Sequence, residues 1–237
     1  LESLSFRNTG STILDFGGNT LTLDAGAIVF QPSAYGAHQI LTNGTLTSST
    51  DDLYLHTCDG GHSASLVINT PINGATLNVL KAGIGGVEFR GDQNNTYGGT
   101  TVVNAGHMQL VKTAGATAIP GPLLIRHGAS VNTGDGQQIS STADITIEEG
   151  GLLSTRSCTF GGVLTLEGGT LYFPNIYITM NKAADYGLVF NGGWIVWDSS
   201  HPGGINLETD VKYESTAATQ AKFERLAWVY PSTWAYD

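Results

Sequence analysis

The chain has 237 residues, of which 32 are glycine and only 13% are charged, and its formal net charge is −10. That balance excludes the basic face of a nucleic-acid binder and disfavours adhesion to anionic lipid, and no run of about 18 apolar residues offers a membrane span. Scarce proline and ample aliphatic residues argue against a disordered chain, and the glycines point to many short strands joined by tight turns in one large all-β domain.

In chain order, LESLSF (Leu1 to Phe6) is strand-like, with neither the basic start nor the apolar core of a signal peptide, so Leu1 reads as a processing or expression boundary. A pattern of apolar, x, x, Gly, x, apolar, x, apolar then begins. It appears as LTLDAGAIVF around Gly26 and, more weakly, as LTNGTL around Gly44. The stretch Cys58 to Ser63 is irregular. VLKAGIGGV around Gly83 follows, and then a turn from Asn94 to Gly99. A helix would not accept Gly98-Gly99 before the β-branched run Thr100 to Val103, whereas a strand would. Strands are therefore expected at Thr100 to Asn104 and His107 to Val111, with a corner at Ala105-Gly106. The pattern returns as LIRHGASV (Gly128), ITIEEGGLL (Gly150), LTLEGGTLYF (Gly169) and LVFNGGWIVW (Gly193). Finally, STAATQAKFERLAWVY (Ser215 to Tyr230) has an N-cap-type start and apolar residues at helical spacing, which predicts a short helix or aromatic-rich cap.

Successive glycines from Gly83 are 23, 22, 22, 19 and 24 residues apart. A period near 20 with two short strands per unit is too short for a helical repeat and fits a coil in which each unit stacks on the last. Aligned positions then form columns. Three before the glycine stand Leu23, Leu41, Leu80, Val103, Ile125, Ile147, Leu166 and Phe190, a uniformly apolar set assigned to the interior. Two after it stand Ile28, Leu46, Gly85, Met108, Ser130, Leu152, Leu171 and Ile195. Four after it stand Phe30, Ser48, Val87, Leu110, Asn132, Ser154, Phe173 and Trp197. About ten rungs at ~4.8 Å each would make a rod roughly 50 Å long. The organisation expected is a β-helix over 1–210 and a capping or interface segment over 211–237.

The segment LNVLKAGIGGVEFRGDQNNTYGGTTVVNAGHMQL (Leu77 to Leu110) resembles the autotransporter-associated β-strand repeat, also called the passenger-associated transport repeat. Lys81, Gly83, Gly91, Asn95, Tyr97, Gly98, Gly99, Thr100, Val102, Gly106 and Leu110 carry the resemblance, with one residue fewer between Tyr97 and Gly98 than the family pattern has. AIPGPLLIRHGASV (Ala118 to Val131) is similar to the usual continuation. The resemblance implies a right-handed parallel β-helix, exported to the surface of a bacterial cell or secreted, with an adhesin-like role. It implies no catalytic residue. No outer-membrane barrel follows, so the chain would be a fragment or a subunit matured from something larger.

Several clusters invite a chemical reading. His56, Cys58 and His62 lie near Asp59, but H-x-C-x₃-H matches no strong zinc template and no fourth ligand is evident, so an irregular loop is the better reading. Cys58 and Cys158, 100 residues apart, fall several turns from each other and are expected to be free thiols. Asp51-Asp52, Asp59, Asp92, Asp135, Glu148-Glu149 and Asp198 scatter over different rungs, unlike a calcium or lyase site, and read as outward solubilising charge. Asn43-Gly-Thr and Asn94-Asn-Thr match glycosylation sequons, a short pattern that recurs by chance. All four tryptophans, Trp194, Trp197, Trp228 and Trp234, fall in the last 52 residues. They read as end-sealing or packing, with an interface or carbohydrate platform as the functional alternative.

The expectation is therefore a non-enzymatic, extracellular or cell-surface structural and adhesive β-helix. It would have no catalytic residue, metal or cofactor. Its partners would be itself, end to end, or surface glycans, with no nucleic acid and no membrane insertion. The alternatives are a self-assembling filament or surface-layer subunit, and a lyase-like polysaccharide-active enzyme on the same fold.

Overall fold

The computed structural model describes residues 1–58, 64–113, 115–134, 136–156, 158–173, 178–182, 186–197, 205–207 and 210–213. Among them there is no helix, and every strand pairing is parallel. The chain winds as a β-solenoid. A first wall stacks ten strands in the order Ser3–Phe6, Ala27–Phe30, Asp52–Thr57, Asn78–Ala82, Thr101–Val103, Leu123–Ile125, Ile145–Glu148, Leu164–Glu167, Tyr186–Phe190 and Asp210–Tyr213. A second wall stacks nine, from Thr12–Asp15 through Gln39–Thr42, Ser65–Asn69, Gly86–Phe89, His107–Leu110, Ser130–Thr133, Leu152–Ser154 and Thr170–Phe173 to Trp194–Trp197. The strands are short and rich in Val, Ile, Leu and Thr; most alternate in burial, as a pleated surface with one dry face requires, whereas Ser65–Asn69 and Gly86–Phe89 are buried on both faces.

A third wall is shorter and broken. Thr20–Leu23 pairs with Thr45–Ser48, Asn73–Gly74 with Thr96–Tyr97, and Thr159–Phe160 with Ile178–Met180 and then Ile205–Leu207. Where strands are missing, side-chain amides take their place. Gln138 accepts from Lys112 N (3.0 Å) and donates to Lys112 O (2.9 Å), and Gln137 does the same with Thr159 N (2.8 Å) and Thr159 O (3.2 Å). An amide presents one donor and one acceptor side by side, as a peptide unit does, so it can extend the ladder.

One apolar core runs the length of the coil. Its central column is Ile28, Leu55, Lys81, Val103, Ile125, Ile147, Leu166 and Phe190, joined rung to rung by the ladder register. The expected column therefore stacks from Val103 onward; before it Leu23 and Leu41 are interior, as expected, but on other walls, and Leu80 alone is not interior. Leu80 lies on the outward face, in register with Tyr54 and Val102, and Lys81 takes the inward place. Leu41 belongs to the second wall and Leu23 to the third. The other two columns also slip. Met108 is followed inward by Val131 and Leu153, not by Ser130 and Leu152, and Leu110 is followed by Thr133, not Asn132. Gly106 precedes its strand directly, whereas an extra residue follows Gly128 and Gly150, and one residue of slip exchanges the faces of a strand.

The expected turn at Asn94 to Gly99 contains the short strand Thr96–Tyr97. The close approach of successive turns explains its glycines: a Cβ on Gly98 would lie 2.1 Å from Ala75 O, and one on Gly99 2.4 Å from Asn78 Oδ1. Of the expected 211–237 segment, only 211–213 is described, as part of the last strand of the first wall. The helix expected at Ser215 to Tyr230 lies outside the described residues.

Candidate functional site

Buried polar residues recur along the coil from Asn8 and Gln39 to Thr155, and the turn from Leu77 to Leu110 holds Lys81, Glu88, Asn95 and Thr101. Lys81 is fully buried in the apolar column between Leu55 and Val103. Its ammonium donates to three carbonyl oxygens: Gly83 at 2.6 Å, Ala105 at 2.8 Å and Ala82 at 3.2 Å. All three N–H donors are therefore used, which is what a buried lysine needs. Two of the acceptors belong to the corner of its own turn and one to the corner of the next, so the side chain ties consecutive turns together. Burial lowers the lysine to about 8.

Asn95 works in the opposite corner. Its Oδ1 accepts from Ile72 N (3.0 Å) in the preceding turn and its Nδ2 donates to Ala118 O (2.7 Å) in the following one. Tyr97 is buried beside it, its hydroxyl 2.6 Å from Thr101 Oγ1, and burial raises the phenol above its ordinary range. Asn78 accepts from Thr100 N and donates to Asp52 Oδ1, each at 2.9 Å. Lys81 and Asn95 thus fasten turns to one another, while the Tyr97 hydroxyl is held locally by Thr101 and reaches Ala118 O at 3.5 Å in the following turn.

Lys112, which sequence reasoning did not single out, is different. It too is buried and pushed down to about 8 by burial, against the pull of Asp92. Its ammonium donates to Arg90 O and Gln93 O, both at 2.9 Å, and pins the loop at 91–93. That loop forms one side of a polar groove of about 260 Å³, whose other side is the tight corners at Thr42 to Gly44 and Asn69 to Pro71. Arg90 stands on the rim and is paired to Glu88, with Nη2 to Oε2 at 2.5 Å. The only sequence signal for this arrangement is a charged residue directly after an alternating strand, HMQL then Val111-Lys112, which is usually a solvated corner.

The other sequence candidates are dispersed. His56 is exposed and Cys58 half-buried, while Asp59 and His62 lie outside the described residues; among the described residues no group of three or more His, Cys, Asp or Glu is placed to hold a metal. Cys58 and Cys158 are free thiols, as expected. Asp51 accepts from Thr76 at 2.6 Å and Asp52 from Asn78 at 2.9 Å, so these two acids anchor neighbouring turns. Asp135 and Asp198 lie outside the described residues. Trp194 is exposed at the start of the last strand of the second wall, paired with Thr170, and Trp197 pairs with Phe173 in the same ladder. Trp228 and Trp234 lie outside the described residues.

Comparison with known protein families, with curated proteins and with solved structures finds no match for this chain.

Proposed function

We propose that this chain is a non-enzymatic structural and adhesive rod displayed outside the cell, in the manner of an autotransporter passenger. The observation that carries the reading is Lys81. A lysine with a lowered pKa is often a site of chemistry, but here every N–H is spent on a backbone carbonyl, two in its own corner and one, Ala105 O, in the corner of the next turn. Asn95 bridges the turns before and after its own, and the buried Tyr97 hydroxyl is used up on Thr101 and Ala118 O. The residues of the repeat-like segment serve cohesion of the coil. A stiff stack of parallel turns suits a protein that holds a binding surface away from its anchor.

The test has two arms. Purified protein immobilised on beads is assayed for retention on glycan-coated and cell surfaces, and the same preparation is incubated with uronate-containing and neutral polysaccharides to detect new reducing ends or unsaturated products. Retention without cleavage supports the rod. Cleavage that is lost in single side-chain variants would replace it with the polysaccharide-active reading, and ordered filaments in electron micrographs of the native protein would replace it with the assembly reading.

A further inference from the structure

We propose that the groove beside Lys112 is a binding site for a neutral carbohydrate, accommodating one end of a glycan chain. This rests on the adhesive reading above and names the ligand and the place. The groove exists because the corners of successive turns differ in length. Thr42 to Gly44 turns tightly, Asn43 having a φ of 57°, and leads at once into Thr45–Ser48. The next corner, after Asn69, is also short. The following one runs from Arg90 to Asn95 before its strand begins at Thr96, so it stands proud of the two below it. Gly91, at a φ of 88°, lets the loop close down on Asn69, where an added Cβ would lie 3.2 Å from Oδ1. The step between tall and short corners is the groove, and its shape is held by the core of the coil.

Lys112 shows that something polar belongs there. It is 4% exposed, yet it lines the groove. An ammonium has three N–H donors, and the described residues supply two acceptors, Arg90 O and Gln93 O. Lys81, equally buried, has three. A buried donor without an acceptor costs stability, so the third N–H of Lys112 has reason to meet an oxygen in the groove. Asp92 and Gln93 line the same space, and among the described residues their side chains make no hydrogen bond. Asn69 and Thr42 lie across from them, joined at 3.2 Å.

The charge and the lining select the ligand class. Lys112 and the Arg90 on the rim are balanced by Asp92 and by the Glu88 that holds Arg90, so the site has no net charge to attract an anion or a cation. A free anion would also meet the Asp92 carboxylate. Apart from the Pro71 ring the lining is polar, which gives an apolar peptide side chain nothing to bury against. Sugar hydroxyls, each both donor and acceptor, match ammonium, carboxylate and amide groups placed side by side. The volume is below the range of about 300–1,000 Å³ that holds drug-sized ligands, and leaves room for about one or two sugar rings.

The test is calorimetric titration of the intact protein with neutral gluco-, galacto- and manno-configured trisaccharides at up to about 10 mM, ten times a weak dissociation constant of ~1 mM. Digalacturonate and sodium sulfate serve as anionic probes. The expected result is one-to-one binding of at least one neutral trisaccharide. Gln93→Trp, which fills the groove from an exposed position, and Asp92→Ala should each weaken it by about tenfold or more while leaving the melting temperature in place. Absence of binding by all three, equal binding by both variants, or a preference for the anionic probes would overturn the proposal. Retention of the intact protein on glycan-coated surfaces that persists in both variants would remove the groove and leave the adhesive rod standing. Solution binding without surface retention would do the reverse.

Discussion

Lys81 and Val103 are ladder partners in adjacent parallel strands of the first wall, and both are fully buried. A charged residue and a valine thus hold equivalent places in one apolar column. The exchange is tolerated because the lysine stem packs as an aliphatic chain while its ammonium reaches past the end of the strand to the carbonyls of the corner. The cohesion of the coil at this turn depends on that reach.

Lys81→Met should therefore destabilise the protein. Replacing a buried ion by an apolar isostere is sometimes neutral, but here the carbonyls of Ala82, Gly83 and Ala105 would lose a shared donor. Urea denaturation should show a loss of about 1–3 kcal/mol. A variant as stable as the parent would mean that water replaces the ammonium without cost.

Stability should rise as pH increases from about 8 towards 9.5. Burial lowers Lys81 and Lys112 to about 8 in the folded chain, from the 10.5 expected in the unfolded one. Between those values the unfolded state binds more protons, so the slope of unfolding free energy with pH is positive, and the penalty is fully present below the folded value. Above about 10, Tyr97 acts in the opposite sense, because its phenol ionises more readily when unfolded. Denaturation midpoints at pH 7.5 and 9.5, for the parent and a Lys81→Met/Lys112→Met double variant, check this. The parent should gain and the double variant should gain less.

Ile147→Ala should cost about 2–5 kcal/mol, the usual range for a fully buried aliphatic residue. Leu80→Ala, on the outward face, should cost less than about 1 kcal/mol, since a half-exposed side chain leaves no sealed cavity. Equal costs at the two positions would contradict the register that places Lys81 inward.

Two corner glycines should respond differently to alanine. Gly106 and Gly128 both have positive φ, at 68° and 71°. An added Cβ on Gly128 meets nothing within 4 Å, so Gly128→Ala should cost only the left-handed penalty of about 1–2 kcal/mol. On Gly106 it would lie 2.6 Å from Gly83 O and Gly85 O, so the turns must separate as well. Thermal melting should place Gly106→Ala clearly below Gly128→Ala.

The repeat was legible in the sequence because each turn passes the same geometric corner. Counting back from Gly106, Gly128, Gly150, Gly169 and Gly193 finds the stacked column Val103, Ile125, Ile147, Leu166 and Phe190. Parallel pairing, an apolar interior and free cysteines follow from that periodicity alone. The place of Lys81 did not. The stretch Asn78-Val-Leu-Lys-Ala can present either Val79 and Lys81 or Leu80 and Ala82 to the core, and local hydrophobicity favours the second. The strands on either side decide for the first, because Leu53 and Leu55 below, and Thr101 and Val103 above, fix the register through main-chain hydrogen bonds that a single sequence window does not contain. The groove depends still more on tertiary structure. Lys112, Arg90 and Asn69 belong to three different turns, and only stacking a tall corner on short ones brings them to one space.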